Sequence, residues 1–102
     1  MNRDDIIADL RAHEPELRAA GVRSLSLVGS AARGGHRADS DVDVLVRLVP
    51  EIIGSGFAYF GRVDALAHRL ETILKRPVDV IVEPVRKERL RRAVSKDRKV
   101  AF

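Results

Sequence analysis

The apolar positions of this chain change period several times, and each change marks an element. Near the start, Ile6, Ile7 and Leu10 share one helical face and Leu17 continues it past Pro15, with Asp4 or Asp5 placed to cap the helix and Gly21 to end it. In "VRSLSLVG", Leu25 and Leu27 alternate with Ser24 and Ser26, which is the period of a strand. "SAARGG" predicts a short helical turn and loop, and "VDVLVRL" at 42–48 predicts a second strand. Pro50 and the "GSG" at 54–56 read as an exposed connection. Over 57–75, Val63, Leu66, Ala67, Leu70, Ile73 and Leu74 recur at helical spacing and predict one long amphipathic helix. Pro77 opens a third strand, "VDVIVE", and residues 85 to about 95 are helical in pattern and strongly basic. The closing "KVAF" fits either a short last strand or a frayed end.

The resulting order, α-β-turn-β-α-β-α, predicts an α/β (α+β) fold: a small mixed β-sheet with helices packed on it. With 102 residues, no repeat and no dividing linker, a single domain over 1–102 is expected. Three phenylalanines and one tyrosine leave the core to Leu, Val, Ile and Ala.

Charge changes this picture at one end only. Residues 1–83 carry 11 basic and 13 acidic side chains, whereas 84–102 carry eight basic and two acidic, so the net +4 belongs to a basic tail at about 85–102. A solvated helix face is the ordinary explanation of such a run; docking on an acidic protein or on nucleic acid are the others. No aromatic residue interleaves with these arginines, so bases have no stacking platform, which favours protein over nucleic acid. No apolar run nears the roughly 18 residues that span a bilayer, and "MNRDDIIADL" has no apolar signal-peptide core. The absence of cysteine excludes disulfides and thiolate metal sites, and fits a reducing cytoplasm.

The chemistry concentrates in "GSAARGGHRADSDVDVLV" at 29–46. Strand alternation puts Asp41 and Asp43 on one face and Val42, Val44, Val46 and Leu48 on the other. The third strand repeats the design, with Asp79 opposite Val78, Val80 and Val82. If the two strands are neighbours in register, three carboxylates converge, and their mutual repulsion calls for a hard divalent cation such as Mg²⁺. Gly29-Ser30 stands where a strand opens into a helical turn, so backbone N–H groups and the Ser30 hydroxyl can cradle phosphate. Arg33, one turn on, adds positive charge. A phosphate cradle beside a metal cluster is the equipment of two-metal nucleotidyl transfer. His36, Asp39 and Ser40 read as solvated or locally bonded loop residues, and His13 and His68 as helix-surface residues with no partner for zinc.

The pattern Gly-Ser, ten residues, Asp-x-Asp (Gly29-Ser30 and Asp41-Val42-Asp43) resembles the signature of the nucleotidyltransferase superfamily that includes DNA polymerase beta. The small size, the wording "GSAARG…SDVDVLV" and the later "RPVDVIVE" resemble its minimal nucleotidyltransferase (MNT) family from about Val22 to Val94. The resemblance implies that Asp41 and Asp43 bind Mg²⁺, that Asp79 completes the site and helps activate the attacking hydroxyl, and that Gly29, Ser30 and Arg33 hold the triphosphate of ATP. Many members are antitoxins that transfer AMP from ATP to a tyrosine of a HEPN-domain toxin, so a HEPN toxin is the partner it implies. A non-catalytic antitoxin that masks its toxin, and transfer to a small molecule, are the alternatives; the second ordinarily needs a further domain to enclose its acceptor.

Overall fold

The computed structural model describes residues 2–34 and 41–102. The first helical stretch is two helices, α1 (Arg3–Ala12) and α2 (Glu14–Ala19). Pro15, in the first turn of α2, has no N–H for the carbonyl of Arg11, so one continuous helix gives way at His13. The apolar stripe survives the break, and Ile6, Leu10 and Leu17 are all fully buried. The cap of α1 is Asn2 rather than Asp4 or Asp5: Asp5 N–H donates to Asn2 Oδ1 at 2.9 Å and Asn2 N–H to Asp5 Oδ2 at 3.3 Å. That is a reciprocal capping box.

Four strands, β1 (Val22–Val28), β2 (Val42–Leu48), β3 (Val78–Val82) and β4 (Lys99–Val100), form a mixed sheet in the order β3-β2-β1-β4. β1 runs antiparallel to both β2 and β4, and β2 runs parallel to β3. A parallel pair needs a crossover, supplied by α4 (Pro50–Ile53) and α5 (Ala58–Leu74). The expected exposed connection at Pro50 is therefore partly helical, and Ile52 within it is buried. The first half of "KVAF" is strand, and beyond β4 Ala101 N–H donates to Leu25 O at 2.8 Å and Leu25 N–H to Phe102 O at 3.0 Å.

The sheet has two unlike faces. Val42, Val44, Val46, Val78, Leu25 and Leu27 meet Leu66, Leu70 and Leu74 of α5 and the apolar side of α1 and α2 in the main core. That core is aliphatic as expected, and Phe57 and Phe60 are exposed. The opposite face holds a second, smaller cluster, Val28 and Leu45 with Ile81 and Val85. Here α6 (Glu88–Asp97), the basic helix, packs against β1 and against α3 (Gly29–Arg33). One serine of β1 is consequently enclosed on this face. Ser26 is fully buried, and its Oγ accepts from Arg98 Nε at 3.0 Å. A β1 flanked by strands on both sides and covered by α6 has no solvated face at that position.

Candidate active site

Register brings the key side chains together. Asp43 pairs with Asp79 across the parallel β2–β3 ladder, and with Val28 across the antiparallel β1–β2 ladder. Residues paired in register project to the same side of a sheet, so both aspartates lie on the face that α6 partly covers. Gly29 follows Val28 at once, with φ of 67°. A Cβ there would stand 2.9 Å from Asp43 Oδ2. Two demands thus meet at this residue: a left-handed turn out of β1, and close approach of backbone to a carboxylate. Only glycine satisfies both without strain.

Electrostatics agree with the geometry. The Asp43 carboxyl is pushed above the ordinary aspartate range, first by burial, then by the charge of Asp79 and a hydrogen bond with its side chain, and least by the charge of Asp41. Two of the three expected carboxylates are therefore brought into contact. Asp41, exposed at the entry to β2, is felt by Asp43 but stands apart. Among the described residues no group of three or more His, Asp and Glu side chains is close enough to hold a metal ion together, so the expected three-carboxylate convergence is realised as a pair with a neighbour. The pair still suits a hard cation. Its oxygens are the right donors, its repulsion is unrelieved by any basic side chain in that contact, and the missing Cβ of Gly29 keeps the approach to Asp43 open.

Arg33 ends α3 with a partly exposed side chain. Its Nη1 donates to Asp97 Oδ2 at 2.7 Å, reaching across to the last residue of α6. Val28, Gly29, Arg33, Asp43, Ile81, Leu90 and Asp97 line a cleft of about 180 Å³ between the carboxylate end of the sheet and α6. A larger groove of about 530 Å³ lies between α2 and α5, beside His13, Glu16, His68 and Arg69, and contains none of the aspartate set. It is broad and open, and the chemistry is elsewhere.

The Ser30 side chain, and His36, Asp39 and Ser40, lie outside the described residues. His68 is exposed on α5, its Nδ1 3.9 Å from Asp64 Oδ2. His13 is half-buried rather than a surface residue, with Nδ1 2.8 Å from the carbonyl oxygen of Asp9 at the α1–α2 break. Asp97 and Arg98 were invisible to motif reading. Their only signal is that a helix opened by Glu88 and basic thereafter closes on a second acid.

Similarity to known proteins places nearly the whole chain in one family. The family described as "Nucleotidyltransferase domain" matches residues 10–101. The chain is 31% identical over 100 residues to the protein adenylyltransferase MntA of Thermococcus cleftensis, covering 95% of this chain and 93% of that one. A solved structure described as a minimal nucleotidyltransferase superposes with a TM-score of 0.74 at 27% identity, covering 97% of this chain and 95% of its own. A toxin–antitoxin crystal structure with AMP-PNP superposes with a TM-score of 0.61 at 25% identity, covering 100% of this chain and 73% of its own. With the in-register aspartates, the glycine turn and a match running almost end to end, this chain belongs to the nucleotidyltransferase domain family, among its minimal members, and is a nucleotidyltransferase.

Proposed function

We propose that this chain, acting as one domain, transfers AMP from ATP to a tyrosine hydroxyl of a HEPN toxin and so serves as its antitoxin. The observation that carries the reading is the Asp43–Asp79 pair, set in register beside a glycine whose lack of a side chain keeps Asp43 accessible. The relative from Thermococcus cleftensis is named a protein adenylyltransferase, and the AMP-PNP structure is a toxin–antitoxin complex. Both support a protein acceptor and an adenine nucleotide donor. A cysteine-free chain that draws on ATP fits the cytoplasm.

In this reading Asp41 and Asp43, with Asp79, hold Mg²⁺, which supplies charge stabilisation for the entering and leaving oxygens. Backbone N–H groups at Gly29-Ser30 and the Ser30 hydroxyl hold the triphosphate, and Arg33 adds positive charge. The tyrosine oxygen forms a bond to the α-phosphorus as the bond to the bridging oxygen of the β-phosphate breaks and pyrophosphate leaves. Asp79, the more exposed of the pair, takes the phenolic proton. A domain this small offers an open edge rather than an enclosing pocket, so the partner completes the acceptor side.

The test is incubation with Mg²⁺, ATP and a HEPN protein encoded beside this chain. Mass spectrometry should find an added AMP on a tyrosine of that protein, and none with Asp43→Asn. Neutralisation of the unmodified toxin by Asp43→Asn would replace catalysis with masking.

A further inference from the structure

We propose that Asp97 is a positioning residue of the nucleotide site, whose carboxylate, carried on α6, fixes the Arg33 guanidinium at the mouth of the cleft containing Gly29 and Asp43. The inference rests on the reading of Arg33 as a triphosphate contact and assigns the C-terminal helix a part in it.

Arg33 ends a one-turn helix and its side chain is 56% exposed. Left free, such a side chain surrenders rotamer entropy whenever it meets a phosphate. The contact with Asp97 restrains it through Nη1 alone, at 2.7 Å. A guanidinium has five N–H donors, so an end-on contact orients the group without using it up. Asp97 is itself well held, its side chain 18% exposed. The next residue, Arg98, anchors that end of α6 to the sheet, with Nε on the buried Ser26 Oγ at 3.0 Å and Nη1 3.4 Å from Glu83 Oε1. A chain of contacts thus runs from β1 and from Glu83, the residue after β3, through the end of α6 to Arg33. An acid in the last turn of a helix also opposes the helix dipole. Helix stability does not account for Asp97; a cation held across from it does.

The experiment measures Mg·ATP binding by titration calorimetry in the full chain, for wild type, Asp97→Ala, Asp97→Glu, Arg33→Ala and the double variant. The AMP-transfer assay gives KM for ATP and kcat in parallel. For a partly exposed ion pair the expected effect is modest: Asp97→Ala should weaken Mg·ATP about three- to fivefold. KM should rise in proportion, with kcat within about twofold of wild type, and Asp97→Glu should recover much of the loss. In the Arg33→Ala background Asp97→Ala should do nothing further. Tighter Mg·ATP binding in Asp97→Ala would overturn the proposal, showing that Asp97 competes with the triphosphate. An equal loss in the Arg33→Ala background would overturn it too, showing a purely structural role. If Asp97→Ala melts below the assay temperature, the nearly isosteric Asp97→Asn replaces it under the same criteria. Unchanged Mg·ATP binding in Arg33→Ala alone would instead remove the underlying assignment of Arg33, and absence of transfer by wild type would remove the proposed function.

Discussion

Asp43 and Asp79 stand side by side on parallel neighbouring strands, with carboxylates that repel one another if both are charged. Nothing in the stability of a small sheet asks for that arrangement. Valine or threonine at either position would pack without electrostatic cost. The pair is intelligible as a site that a cation completes, and it makes the protein less stable without one.

Asp43→Asn should therefore separate folding from catalysis. The substitution keeps the shape, removes the repulsion and removes a metal ligand. Transfer should fall by at least about a hundredfold, the scale on which loss of one acid–base or electrostatic group is felt. The melting temperature measured in chelator should rise or hold. A lower melting temperature in chelator together with full activity would remove Asp43 from the site.

The raised Asp43 value also fixes a pH dependence. A carboxyl held above its ordinary range binds its proton more tightly in the folded state than in the unfolded chain. Stability in chelator should fall as pH rises from the ordinary aspartate value through the raised one, and level off above it. Mg²⁺ needs the ionised form, so its stabilising effect should grow over that same interval. Thermal melts across this range, with and without Mg²⁺, read both trends. In Asp43→Asn the Asp43 part of the slope in chelator should disappear.

How much of this was legible beforehand depended on whether the cause was local. The aspartate pair followed from strand period alone: an odd-numbered aspartate in each of two valine strands makes a pair once the strands are neighbours. The long helix α5 was equally plain, because Leu66, Leu70 and Leu74 are all buried on one stripe. What sequence did not reveal was what α6 covers. Leu45 lies on the aspartate side of β2, yet it is buried, because it meets Val28, Ile81 and Val85 beneath that helix. Ser26 is enclosed for the same reason. Asp41 shares the period of Asp43 but sits at the strand entry, where register no longer holds it against its neighbours. Long-range pairings such as Arg33–Asp97 leave no periodic trace in a single chain.

Gly29 offers a backbone test of the same site. Gly29→Ala forces a left-handed residue to carry a Cβ, costing about 1–2 kcal/mol. That Cβ also meets Asp43 Oδ2 at 2.9 Å and must displace it. Urea unfolding should show a loss on that order, and transfer should fall more than stability does. Unchanged activity would mean that the carboxylate has room to spare.

The basic helix is the last feature to be tested, through its rate effects. Arg89, Arg91, Arg92 and Lys96 are all exposed on α6, and only Arg92 has an acidic partner within the helix, Glu88 at 2.7 Å. The helix borders the cleft that holds Asp43, so a partner approaching the carboxylates passes these charges. Charges at the rim of an interface act on association more than on the bound state, and their effect is screened by salt. An acidic toxin should therefore associate more slowly with Arg89→Glu, Arg91→Glu or the double variant, by about tenfold at low ionic strength for the double change, and the difference should shrink toward zero near 1 M salt. At saturating toxin the transfer rate should stay near wild type, since neither arginine lines the cleft. Stopped-flow association across a salt series measures the first effect, and single-turnover transfer the second. A loss of transfer at saturation, independent of salt, would put these arginines inside the reaction rather than at its approach.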